Sequence, residues 1–93
     1  MAESWSFLTN HLEVLAAVDR DRDVRLRDLA IQVGVTERTA QGIVADLTKA
    51  GYLSVSRIGR RNRYEVHASM PVQGRSERQL AVGRLLGALT QAE

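Results

Sequence analysis

At Gly34 one helical pattern stops, and two residues later another begins. Leu26, Leu29, Ala30 and Val33 recur at three- and four-residue spacing, the mark of one buried helical face. Glycine is the common residue just past a helix end because it takes positive φ without a Cβ penalty. Thr36 then supplies an N-cap, and Glu37 sits at the positive end of the helix it opens. Ala40, Ile43, Val44 and Leu47 make a second apolar stripe, which Gly51 closes. A short helix, a three-residue turn and a longer helix thus follow one another directly. Little freedom is left in how the two pack: small Ala30 lets them approach, and Val35 plugs the space between them.

The flanking segments add two helices and a hairpin. Trp5, Leu8, Leu12 and Leu15 repeat at helical spacing, which predicts a helix from Ser4 to about Val18. "DRDRD" (Asp19 to Asp23) has no apolar residue and reads as a loop. "SRIGRRNRYEV" (Ser56 to Val66) gives two short strand-like segments around a tip containing Gly59 and Asn62. "ASMPVQGR" (Ala68 to Arg75) holds the only proline and reads as a connector. Ser76 then resembles an N-cap, and Val82, Leu85, Leu86 and Leu89 form a last helical stripe. Ninety-three residues allow one small domain with one modest core. Aromatic residues are only 4%, so aliphatic side chains must build it.

Charge is spread unevenly. The net value is only +2, but Met1–Val24 holds five acids against two bases. Gly51–Arg75 holds five arginines against the single acid Glu65. Arg57, Arg60, Arg61 and Arg63 crowd into seven consecutive positions of the hairpin. Like charges so close repel one another unless a partner neutralises them, so the hairpin is the positive pole of a lopsided molecule. A basic hairpin alone would favour the reading of a solvated turn, because charge clusters are common on surfaces.

The succession Leu26–Leu53, "LRDLAIQVGVTERTAQGIVADLTKAGYL", is the sequence form of a helix-turn-helix. With "DLTKAGYLSVSR" leading from the second helix into the hairpin, the segment from about Leu12 to His67 resembles the winged helix-turn-helix of bacterial transcriptional regulators of the MarR-like and ArsR-like group. The resemblance implies a mainly α fold with a small antiparallel β-sheet and an added C-terminal helix, with Val24–Leu26 pairing beside the hairpin. It also implies that residues 1–70 are a DNA-binding domain whose recognition helix is 36–50 and whose basic wing is 55–67. In such proteins the wing lies on the DNA backbone or in the minor groove, so Arg60 and Arg61 at its tip would meet phosphates, with Arg57 and Arg63 beside them. Residues 71–93 are then connector and C-terminal helix, an expected dimerisation element.

The outer face of the recognition helix can be read from its residues. At 100° per residue, the face opposite the apolar stripe holds Arg38, Gln41, Gly42, Ala45 and Lys49, with Thr39 at its edge and Thr36 at its start. Gly42 costs about 1 kcal/mol relative to Ala in a helix interior. Close approach of the helix to a major groove would compensate for it, and packing on a neighbouring protein element is the alternative. Arg suits guanine and Gln suits adenine as two-pronged partners. Lys49, far along the helix, reads as a phosphate contact or a solvated side chain.

Other groupings point elsewhere only weakly. Asp19, Asp21 and Asp23 have the spacing that opens a calcium loop, but Val24 and Ala30 stand where a Gly and a bidentate Glu are needed. His11 and His67 are far apart and read as structural. With no cysteine there is no thiolate metal site and no disulfide. No nucleophile–base pair, phosphate loop or carboxylate dyad can be assembled, so neither an enzyme nor a cofactor is expected. No apolar run reaches membrane-span length and no secretory leader is visible, which predicts a cytoplasmic protein.

Duplex DNA is therefore the expected partner. A winged-helix protein-interaction module and a nonspecific nucleic-acid binder remain as alternatives, since phosphate contacts carry no sequence information. The last helix must pack on its own domain or on another copy, and the second is favoured: a homodimer is expected, with Leu80, Val82, Leu85, Leu86 and Leu89 meeting another copy and Trp5 and Phe7 supplying the opposing surface. A small-molecule effector is left open.

Overall fold

The computed structural model describes residues 7–72 and 80–91. Its elements in chain order are α1 (Asn10–Arg20), α2 (Leu26–Val33), α3 (Glu37–Lys49), β1 (Leu53–Ile58), β2 (Arg61–Val66) and α4 (Val82–Gln91). The strands form one two-stranded antiparallel sheet. The helices α1, α2 and α3 pack on one another, and the base of the hairpin closes the core beneath them. Val14 and Val18 of α1, Leu29 of α2, Leu53 of β1 and Tyr64 of β2 are fully buried at its centre.

The first helix departs from its expected span. Thr9 is extended, and its hydroxyl accepts a hydrogen bond from the Leu12 amide, so α1 begins at Asn10 rather than at Ser4. Ser4 and Trp5 lie outside the described residues. The helix continues to Arg20, where Asp21 turns extended. A local cap that satisfies a free amide outweighs the apolar spacing further upstream.

The helix-turn-helix follows the sequence closely. Gly34 is left-handed at φ +83°, and its amide bonds Ala30 O. The Thr36 hydroxyl accepts from the Thr39 amide, and α3 opens at Glu37. At its far end Ala50 is the cap and Gly51 takes φ +90°, which turns the chain so that the Tyr52 amide reaches back to Leu47 O.

The hairpin turns through two residues, Gly59 at φ +64° and Arg60, with Ile58 opposite Arg61. Asn62 is therefore inside β2, opposite Arg57, and not in the tip. The expected third strand is not formed. Val24 is buried outside any strand and Leu26 already begins α2. What approaches β2 is a single bond from the Tyr64 amide to Arg22 O, two residues earlier than expected. The amide of Asp23 caps back on the Asp21 carboxylate, giving a turn where a strand would need extended backbone.

The connector is partly structured. Met70 O accepts from the Val82 amide and Ala68 O from the Gly83 amide, while Pro71 and Ala81 form an isolated antiparallel bridge. This tie seats α4 on the domain's own core. Val82 and Leu86 are only 3% and 2% exposed, and Leu89 packs partly buried against the same cluster. The expectation that Val82 and Leu86 meet another copy is corrected accordingly, because the core of α1–α3 and the hairpin leaves an apolar flank that α4 covers. Ser76 falls outside the described residues. Among those described, no helix is long and apolar enough to cross a membrane.

Candidate nucleic-acid interface

Three buried positions, Ala40, Ile43 and Leu47, fix the rotation of α3 about its axis. That rotation leaves Arg38, Thr39, Gln41, Gly42, Ala45 and Lys49 solvent-exposed, as their spacing predicts. Thr36 is exposed too, but its hydroxyl is engaged twice. It accepts from the Thr39 amide and donates to the Thr39 hydroxyl at 3.0 Å. Thr36 thus holds Thr39 in place at the head of the helix.

Gly42 has open space beside it. Beyond its chain neighbours and the backbone of its own helix, a Cβ built there meets no described atom within 4 Å, so no other described element packs against it. The open ground around the glycine lies on the same face as Arg38 and Gln41.

The wing brings its arginines to different places. Arg60 is in the turn and Arg61 starts β2, both exposed. Arg57 faces Asn62 across the hairpin. Arg63, opposite Ser56, is held by Asp23 at 3.6 Å, an exposed pair of the kind worth under about 1 kcal/mol. Arg57, Arg60 and Arg61 line a cleft of about 570 Å³ between the wing and the start of α2. Across it stand Arg25 and Arg27, which sequence reasoning did not single out. Their charge was diluted among the acids around them, and nothing local tells that the hairpin folds toward them.

His11, read as structural, has a partner that its local sequence does not reveal. Its Nε2 lies 2.9 Å from the Asp46 carboxylate, joining the start of α1 to the side of α3. The two are thirty-five positions apart, so only the fold makes them companions. Ser54 Oγ and His67 Nε2 are 2.6 Å apart across the base of the hairpin. The described residues contain no group of three His, Asp or Glu side chains placed to share a metal ion.

Of the surface assigned to dimerisation, Trp5 lies outside the described residues. Phe7 is 91% exposed and Leu80 39% exposed, while Leu85 is half-buried.

No family model matches the chain, and no curated protein matches its sequence. Solved structures do match. The PcaV transcriptional regulator of Streptomyces coelicolor, solved with its natural ligand, is 24% identical, with a TM-score of 0.57 over 63% of this chain and 44% of its own. The homodimeric winged helix-turn-helix DNA-binding domain Mb0332 of Mycobacterium bovis, described as a possible ArsR-family regulator, is 18% identical. Its TM-score is 0.61 over 89% of this chain and 66% of that one. BpsR of Bordetella bronchiseptica, whose DNA binding is regulated by 6-hydroxynicotinic acid, is 16% identical, with a TM-score of 0.57 over 96% and 60%. The chain thus spans from 44% to 66% of the length of these three proteins. At such identities the likeness is one of architecture. Three packed helices with a capped turn between the second and third, followed by a two-stranded hairpin, give this chain the winged helix-turn-helix fold.

Proposed function

We propose that the chain is a sequence-specific duplex DNA-binding regulator of transcription, acting in the cytoplasm as a homodimer. In this reading α3 enters the major groove and the wing lies on the backbone or in the minor groove. One observation carries it: the exposed outer face of α3 pairs Arg38 and Gln41, side chains of the kind that can read bases, with a glycine against which no other described element packs. A helix that faced only water would do better with alanine there. Gly42 and Ala45 let the helix sit deep, Arg38 and Gln41 reach base edges, Thr39 and Lys49 flank them, and the wing arginines meet phosphates. A protein-docking surface would favour an apolar or acidic outer face on α3 and an uncharged wing, and this chain has neither. The regulators of similar fold, and the homodimeric domain among them, support the same reading.

Selection of bound fragments from random duplex DNA at a fixed salt concentration tests it. One enriched sequence is the expected result. Arg38→Ala and Gln41→Ala should then each lose about 1–3 kcal/mol on that sequence and much less on random DNA. No enrichment, or equal losses on both DNAs, would remove base reading from α3.

A further inference from the structure

The cleft between the wing and the start of α2 gathers five arginines from two segments far apart in sequence. Arg25 and Arg27 stand on one wall, and Arg57, Arg60 and Arg61 on the other. Among the described residues, Asp23 and Glu37 are the two carboxylates that line the same space. Among the described residues no ion pair joins any of the five arginines to either acid, and Asp23 turns instead to Arg63, which is not part of the lining. Cations gathered in a concave space focus a positive potential, and guanidinium groups match the oxygens of a phosphate two at a time.

The free chain carries a cost for this arrangement. Threonine hydroxyls cap α1 and α3, but Arg25 stands at the cap position of α2 and makes no capping bond. A cation at the positive end of a helix opposes the helix dipole, and Arg27 in the first turn adds to it, while Asp28 in the same turn offsets part of the cost. An anion seated between the two walls would relieve both this and the repulsion among the wing arginines.

We infer that the cleft seats backbone phosphates of one strand of the duplex, gripped from the α2 side by Arg25 and Arg27. The inference rests on the proposed DNA-binding reading and extends its contact set beyond α3 and the wing. The choice of a continuous strand over a free anion comes from position. Glu37, in the first turn of α3, is also part of the lining, so the cleft adjoins the base-reading face. A strand whose bases meet Arg38 and Gln41 has its phosphates at hand there.

The test is the salt dependence of binding to a random-sequence duplex, measured by fluorescence anisotropy on the full chain. The variant is Arg25→Ser with Arg27→Gln. Serine is a favourable N-cap, so the melting temperature should hold or rise, and lost binding would not reflect lost folding. The slope of log K against log salt should fall by about 0.9 per lost contact, roughly 2 for the pair, with the preference for the selected sequence unchanged. Arg25→Lys with Arg27→Lys should keep the wild-type slope. A wild-type slope in the Ser/Gln variant overturns the inference and leaves the proposed function standing. A wild-type chain that binds no duplex removes both. Inorganic phosphate, titrated at constant ionic strength, should shift the melting temperature far less than duplex does. An equal shift would overturn the strand in favour of a free anion.

Discussion

Two glycines in helices make opposite demands on the same substitution. At Gly42 the space for a Cβ is open, so Gly42→Ala should stabilise the chain by about 1 kcal/mol, read by thermal unfolding. Gly42→Leu should fold as well but lose affinity for the selected DNA, because its side chain would hold α3 out of the groove; full affinity would exclude the groove placement. At Gly83 a Cβ would lie 2.7 Å from the Ala68 Cβ and 3.0 Å from Ala68 O. Gly83→Ala should therefore destabilise by about 1–3 kcal/mol, as overpacking does, despite the better helix former. A gain would mean that the tie yields easily. Gly42 announced itself in the sequence, since a glycine amid a regular helical stripe conflicts with local propensity. Gly83 did not, because its reason is a backbone reached only through the fold. His11 with Asp46, and Arg25 with the wing, were hidden for the same cause.

Elements were legible where their limits are written locally. Both ends of the α2–α3 turn were readable because Gly34 and Thr36 act on amides within a few residues of themselves. Apolar spacing alone put the start of α1 too early, because it does not register the Thr9 cap, and the third strand was expected from the likeness alone. The hairpin was found, although its turn proved to be Gly59–Arg60 with Asn62 paired in β2. For the wing, replacing Arg60 and Arg61 by Gln should weaken binding to all duplexes alike and lower the salt slope by about 0.9 for each phosphate lost. Its melting temperature should stay level or rise as the repulsion eases. An unchanged slope would show that the tip never meets phosphate.

At the scale of the whole molecule, α4 was foreseen as an element and misread in its packing. Periodicity shows that Val82, Leu85, Leu86 and Leu89 share a face, but not which surface receives it. With Val82 and Leu86 taken into the core, a second copy would meet what remains outward, chiefly Leu80 and Leu85 with Phe7. Leu80→Asp with Leu85→Asp should then yield a folded monomer, seen by sedimentation, that binds palindromic sites far more weakly than the wild type. Two-fold symmetry would match half-sites one DNA turn of about 34 Å apart. A wild-type chain that sediments as a monomer at tens of micromolar, well above a micromolar Kd worth about −8 kcal/mol, would exclude this pairing.

The tie at Ala68 and Met70 has a consequence in time as well as in space. His67, directly after the wing, gives its amide to Tyr52 O, and the next residue holds the Gly83 amide. The base of the wing and the first turn of α4 thus share one short run of backbone, and neither can open without loosening the other. In deuterated water the amides of His67, Val82 and Gly83 should show one common free energy of opening, set by one cooperative unit, while the arginine amides at the tip of the wing are far less protected.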